Sequence, residues 1–267
     1  MISRVMYDDS NMVIRISAIV IARNEEGRIA RCLSCLTWAD EFIVVDNGSI
    51  DATCRVAQKH GAIVVSAGDI RDFAKLRNIG KEKARGEWLL YIDADEVVSE
   101  ELAKEIRKAI SYQLSVISGY ELRRTNYYLG HPWPGDEYVL RLMRKDALRE
   151  WYGELHETAR VNGKIGRLHA LLLHDTHRTL EEMVAKTNEW SQVEAKLRFD
   201  AGHPAVVWWR FIRVVLTAFY YSFIKQGGWR AGIVGWIESI YQAFSMFITY
   251  AKLWEMQQRQ NLSIEEL

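Results

Sequence analysis

WLLYIDADEVVSEELAKEIRKAI, residues 88–110, joins two kinds of local structure within 23 residues. Trp88–Ile92 is an apolar run of strand length. From Ser99 the pattern turns helical, with acids in the first turn and bases after them, as the helix dipole prefers. Between the two lie Asp93, Asp95 and Glu96. Carboxylates crowded at the end of a buried strand repel one another and resist burial, so something must neutralise them. Glu96 reads as the start of the following helix, which leaves Asp93 and Asp95 as the pair to explain.

The same strand-then-helix unit recurs upstream. IRISAIVIA (Ile14–Ala22) is a β-branched strand, and RNEEGRIARCLSCLTWA follows with Ile29, Leu33 and Leu36 on one helical face. DEFIVVDNGS is a second strand, and IDATCRVAQKHG a short helix capped by Ser49 or Asp51 and stopped by Gly61. AIVVSAGD is a third strand, and FAKLRNIGKEKARG a helix that ends at Gly86. Four β-α units in succession predict an α/β fold with a mixed, mostly parallel sheet and helices on both faces. Ligands of such sheets sit at the carboxyl ends of the strands. Asn24-Glu25, Asp46-Asn47 and Asp93-Ala94-Asp95 all fall at those ends. No G-x-G-x-x-G follows the first strand and no Gly-Lys-Ser/Thr loop is present, which argues against dinucleotide and P-loop sites.

In a turning chain, residues i and i+2 can aim the same way. A divalent cation, Mg²⁺ or Mn²⁺, accepts one or two such carboxylates and keeps positions for substrate phosphates. The competing reading of Asp93 and Asp95 is a solvated turn. Asp46, at the end of the second strand, is placed to accept from a base N–H, with Asn47-Gly48-Ser49 as a tight turn. Asp51 is explained as well by capping as by function. Arg77 precedes the D-x-D strand and is suited to phosphate oxygens; a surface arginine is the bland alternative.

From about Ser118 the pattern changes. GYELRRTNYYLG and EYVLRLMRKD alternate like strands and carry Arg141 and Arg144, one of which is suited to donor or acceptor phosphate, with an ordinary strand-edge arginine as the equal alternative. YGELHETARVNGKIGRLHALLLHDTH, rich in His and Arg, reads as a β-rich extension lining a substrate cleft. TLEEMVAKTNEWSQVEAKLRFDAG reads as an amphipathic helix. AVVWWRFIRVVLTAFYYSFIK (Ala205–Lys225) is apolar and aromatic. In the helix after it, Glu238, Gln242, Ser245, Thr249 and Lys252 form one polar stripe on an otherwise apolar surface. These helices are read as lying in a membrane interface, with Trp208, Trp209, Trp229 and Trp236 at headgroup level and Arg210, Arg213 and Arg230 meeting anionic lipid. The alternative is a buried hairpin packed on the domain or on a second subunit. The expected division is a domain over 1–200, with halves 1–117 and 118–200, and amphipathic helices over 201–267.

Lys plus Arg equals Asp plus Glu, 35 of each, so no basic field for nucleic acid exists. Three cysteines form no disulfide framework and point to a reducing compartment. Cys32-x-x-Cys35 lacks the second pair of a zinc site and reads as two small apolar residues on a helix. The N-terminal residues carry acids where a signal peptide needs an apolar core, so no secretion signal is expected.

SAIVIARNEE, FIVVDNGSIDAT, FAKLRNIGKEKARGEWLLYIDADE and GELHE together resemble the family 2 glycosyltransferases of GT-A fold. Within that family the chain is most similar to bacterial lipopolysaccharide core enzymes that add a β-linked glucose. The resemblance runs over nearly the whole chain. It implies inverting hexosyl transfer from a nucleotide sugar, commonly a UDP-sugar, to a glycolipid acceptor, by a cytoplasmic enzyme peripheral to the inner face of the cytoplasmic membrane. By position, Asp46 matches the residue that recognises the base, with Ala22 and Glu25 bordering that pocket. Asp93, Ala94 and Asp95 match the D-x-D motif, Asp95 being the more direct metal ligand. His174 matches a histidine with which some relatives complete the metal site, and His156 would orient the base or touch phosphate. The catalytic base is expected from Glu154-Leu155-His156-Glu157, Glu157 first and Glu154 second. Transfer onto a polyprenyl phosphate would need no base, and a non-catalytic membrane assembly subunit would need no intact D-x-D. A homo-oligomer is a further expected partner.

Overall fold

Strand β1 (Ile16–Ala22) is buried along its whole length because it runs through the middle of the sheet. The computed structural model describes residues 15–111, 116–153 and 157–265. After β1 come α1 (Ile29–Ser34), β2 (Glu41–Asp46), α2 (Thr53–Lys59), β3 (Ile63–Ser66), α3 (Phe73–Lys83) and β4 (Trp88–Asp93). Then follow β5 (Glu96–Val98), α4 (Glu100–Ser111), β6 (Ile117–Tyr128), β7 (His131–Pro132), β8 (Glu137–Arg144), β9 (Leu148–Tyr152), β10 (Thr158–Val161) and β11 (Lys164–His177). The chain ends in α5 (Leu180–Asp200), α6 (Trp208–Tyr220), a π-helical turn at Tyr221–Lys225, a 3-10 turn at Gly228–Ala231 and α7 (Gly232–Glu265).

The nine-stranded sheet has the order β3-β2-β1-β4-β8-β6-β11-β5, with β7 paired to β6. The first four strands are parallel, and the pairings β4–β8, β8–β6 and β11–β5 are antiparallel. The four expected strand–helix units are therefore all present, and the β-rich extension completes the sheet. Alternate residues of β1 leave on opposite faces. Ala18 and Val20 pack with Leu33 of α1 and Leu102 and Ile106 of α4. Ile19 and Ile21 pack with Leu76 of α3 and with Trp151 of β9. Gly80 lets α3 close on the sheet, because a Cβ there would overlap the Ile19 side chain.

Two compact units result. The first holds the described residues up to Arg124 together with Glu137–His174; the second holds Thr125–Asp136 and the described residues from Asp175. Within the second unit, α7 packs against both α5 and α6. Its polar stripe faces inward. The Glu238 carboxylate is 2% exposed, lies 3.0 Å from His177 Nδ1 and accepts from Gln242 Nε2 at 2.6 Å. Lys252 Nζ donates to the Asn188 carbonyl at 2.5 Å. The apolar residues face outward: Trp208, Ile212, Leu216 and Tyr220 on α6, and Ile233, Trp236, Ile240, Phe244 and Phe247 on α7 are all exposed. This is the reverse of a water-facing amphipathic helix. The turn between the helices is tight, since a Cβ on Gly235 would overlap the Gly228 carbonyl oxygen.

Candidate active site at the strand ends

Strand register brings the predicted polar clusters to one edge of the sheet. Ala22 is level with Asp46, Asp46 with Ser66, and Ile21 with Asp93. The loops after β1 and β2 are laced together. Asn24 N–H donates to Ser49 Oγ at 3.0 Å, and Ile50 N–H donates back to Asn24 Oδ1 at 2.9 Å. Glu25 N–H donates to Thr53 Oγ1, Glu26 N–H to Asp51, and Ala52 N–H to Glu26 Oε2. Asn24 takes a left-handed conformation to do this, with φ of 54°, which asparagine tolerates better than most residues. Asp51 thus serves the loop and the helix start, while the Glu25 carboxylate pairs with Arg28 at 3.0 Å.

Asp46 is buried at the end of β2, and its carboxylate accepts from Ser49 N–H at 3.3 Å. Asn47 shapes the turn: its N–H donates to the Ala22 carbonyl, and its Oδ1 accepts from Ile70 N–H. Gly48 sits at φ 76°, beside the Asp69 backbone nitrogen. The result is a turn tied by backbone hydrogen bonds around one buried carboxylate.

The acids at the end of β4 are neutralised by arginines. Asp93 Oδ1 accepts from Arg77 Nη2 at 2.9 Å, and Oδ2 accepts from Arg141 Nη2 at 2.5 Å. Burial pushes the Asp93 carboxyl up, but the charges of Arg141, Arg77 and Arg124 outweigh that effect and hold it well below the usual carboxylate range. Burial disfavours the charged form of Arg141, and Asp93, Glu96 and Glu157 more than restore it. Glu96 corrects the expectation that it opens the next helix. It begins β5 instead, is fully buried, accepts from Asp93 N–H at 2.9 Å and pairs with Arg124 at 2.9 Å. Helix α4 starts at Glu100, where Ser99 Oγ accepts from Leu102 N–H.

Arg77 was expected to reach phosphate, and it points elsewhere. It is 2% exposed, and its Nε and Nη2 both donate to Glu157 Oε1, at 2.9 and 2.7 Å. The guanidinium lies near the rings of Tyr91 and Trp151, with its central carbon 5.8 and 4.9 Å from their centroids. Glu157 is thereby held 2.7 Å from a buried cation. Glu154 and His156 lie outside the described residues.

Asp95 stands beside a histidine. Its Oδ1 lies 3.5 Å from His174 Nε2, because β11 runs antiparallel to β5 with His174 opposite Glu96. Two donors on one divalent ion stand roughly 3 Å apart, so this oxygen and nitrogen fit a shared cation. The Asp93 oxygens do not fit that role while both bind arginine. Among the described residues no group of three His, Cys, Asp or Glu side chains gathers into a cage. An ion held here would have two protein ligands and would take the rest from water and substrate oxygens.

Residues 17–163, more than half of the chain, match the family model for glycosyl transferase family 2. The chain belongs to glycosyl transferase family 2. Its fold is the GT-A arrangement of that family. A lipopolysaccharide core biosynthesis glycosyltransferase of Rhizobium meliloti, LpsC, is 26% identical over 257 residues, covering 90% of this chain and 92% of its own length. An uncharacterized glycosyltransferase of Rickettsia typhi is 27% identical and covers 91% of this chain and 87% of its own. Among solved structures, S. aureus TarS 1-349 in complex with UDP-GlcNAc has a TM-score of 0.50 at 16% identity, covering 93% of this chain and 92% of that one; this is a likeness of fold.

For this family 2 chain, the first unit gathers Ala22, Glu25, Asp46, Arg77, Asp93, Ala94, Asp95, Glu157 and His174. Arg124 and Glu96 were missed, and Arg141 was read as equally an ordinary strand residue. A signal for Arg141 was present: it stands between Val139-Leu140 and Leu142-Met143, in a strand buried on both faces, where an arginine needs an acid. The Cys32 and Cys35 thiols are both raised, chiefly by burial, which fits packing residues and not a redox pair.

Proposed function

We propose that this glycosyltransferase is an inverting, divalent-cation-dependent hexosyltransferase that uses a nucleotide sugar, a UDP-hexose, and a membrane-borne glycolipid acceptor of the lipopolysaccharide inner-core class. The observation that carries the reading is the Asp95–His174 pair beside the arginine-held Asp93, at the same sheet edge as the Asp46 carboxylate. Residues 1–117 are the nucleotide-binding half in this reading, and 118–200 the acceptor-binding half. Asp46 accepts from the base, with Ala22 and Glu25 at its border, and Asp93 and Ala94 flank the sugar diphosphate. Asp95 and His174 would hold Mg²⁺ or Mn²⁺, which when bound offsets charge on a diphosphate leaving group. Glu157 accepts the proton of the acceptor hydroxyl as that oxygen bonds to the anomeric carbon from the face opposite the diphosphate. The bond from that carbon to the diphosphate oxygen breaks, and its electron pair leaves with the nucleotide.

The LpsC relationship supports the acceptor class and a cytoplasmic enzyme. The outward apolar face of α6 and α7 supports a peripheral place on the inner face of the membrane. Between residues 205 and 252 the basic residues are Arg210, Arg213, Lys225, Arg230 and Lys252, and the one acid, Glu238, is buried. A cationic, aromatic, apolar surface suits anionic lipid. Residues Gly228–Gln260 are also long and apolar enough, by length and composition, to cross a bilayer. The inward polar stripe favours lying along the interface, because it keeps one side of α7 on protein.

The test is release of nucleoside diphosphate from a panel of nucleotide sugars with Mg²⁺ or Mn²⁺, with and without inner-core lipid. Lipid-dependent release from one UDP-hexose is expected, and Asp95→Ala should abolish it. Wild-type turnover in that variant would end the metal assignment.

A further inference from the structure

Arg77 is a costly residue where it stands. A guanidinium that is 2% exposed must be paired on several sides, and this one is fixed from three. Nε and Nη2 hold Glu157 Oε1. Nη2 also holds Asp93 Oδ1, while the second Asp93 oxygen is tied to Arg141. The rings of Tyr91 and Trp151 lie within cation–π range of its central carbon. The contact to Glu157 spans 80 residues of sequence and joins α3 to the start of β10.

Glu157 is held asymmetrically. Both arginine bonds end on Oε1, and among the described residues Oε2 accepts no hydrogen bond. Its side chain is 16% exposed, so a molecule from outside can reach it. The charged groups that face it are Arg77 from α3, Arg141 from β8 and, beyond Arg77, Asp93 from β4. A carboxylate fixed through one oxygen presents the other oxygen in one direction.

We propose that Arg77 is a positioning residue that holds Glu157 by Oε1, so that Oε2 accepts the acceptor proton, and links it to the strand end carrying Asp93 and Asp95. This rests on Glu157 being the base. It replaces the phosphate-binding role expected of Arg77, because Nε and Nη2 are already used inside the protein and Nη1 is buried, with no hydrogen-bond partner among the described residues.

The experiment compares kcat and KM at neutral pH for wild type, Arg77→Gln, Arg77→Lys and Glu157→Gln. Each is assayed with the UDP-sugar selected by the panel, inner-core lipid and Mn²⁺, and each is checked for folding by thermal melting. Arg77→Gln should lower kcat far more than it changes the donor KM. Arg77→Lys restores a charge but not the fork. Its kcat should fall by about tenfold or more from lost orientation. A wild-type kcat in folded Arg77→Gln, a change confined to KM, or wild-type kcat in Arg77→Lys would each overturn the proposal. If Arg77→Gln does not fold, Arg77→Lys decides alone. Glu157→Gln separates the two ideas: wild-type turnover there removes the base assignment, whereas loss of turnover there with wild-type kcat in Arg77→Gln removes only the role of Arg77.

Discussion

Replacing Leu216 and Ile240 by serine tests whether the outward face of the second unit meets lipid. Leu216 is 62% exposed and Ile240 57% exposed, one on α6 and one on α7. Full burial of such a side chain contributes about 1.5–3 kcal/mol. With roughly six-tenths of each still to be buried, insertion should contribute about 1–2 kcal/mol per residue, or about 2–4 kcal/mol for the pair. At about 1.4 kcal/mol per factor of ten, the double variant L216S/I240S should bind vesicles about 30-fold to several-hundred-fold more weakly. Both side chains already face water in the protein alone, so folding stability should change by only about 0.5 kcal/mol. Co-sedimentation with phosphatidylglycerol vesicles measures the partition, and a thermal melt checks the fold. A folded double variant whose partition changes by less than about threefold would refute the membrane reading, since the expected range follows from the exposed side chains. If its partition is unchanged and light scattering shows a wild-type dimer becoming a monomer, the face belongs to a second copy of the chain.

Three further outcomes follow from the same structure. Arg141→Met leaves Asp93 and the fully buried Glu96 each short of one cation, and should destabilise the first unit by about 3 kcal/mol in urea unfolding; a loss below about 1 kcal/mol would show that Arg77 and Arg124 suffice. Asp93 is depressed below its unfolded value, so its contribution is present at neutral pH and is lost as pH falls below about 4; wild type should therefore lose stability in acid more steeply than Arg141→Met. Gly235→Ala should destabilise by about 1–3 kcal/mol, because the new Cβ meets the Gly228 carbonyl. A stabilised variant, as helix propensity alone predicts, would mean that the turn relaxes freely.

Much of the site was legible before the fold, for a reason particular to parallel sheets. The β-α alternation sends the carboxyl end of every strand to one edge, so Asp46 and Asp93 had to meet there. The turn chemistry of Asn47 and Gly48 was equally local. Glu96 was misread because an acid before a helix is a common first-turn residue, and only pairing with β11 makes it part of a strand. Arg77 was misread because an arginine after an apolar helical turn looks the same whether it faces water or a carboxylate 80 residues away.

By itself, the sequence determined the local and periodic features of this glycosyltransferase. These are its strands and helices, the edge where its acids gather, and the existence of one polar stripe along α7. Periodicity sets the angle between the faces of a helix but not which face turns inward. Only the tertiary structure turned that stripe onto His177 and Asn188 and left the aromatic side outward. Likewise the composition required cations for the acids at the end of β4 without naming them. Packing of α3 and β8 against β4 chose Arg77 and Arg141 for Asp93, and so left Asp95 with His174.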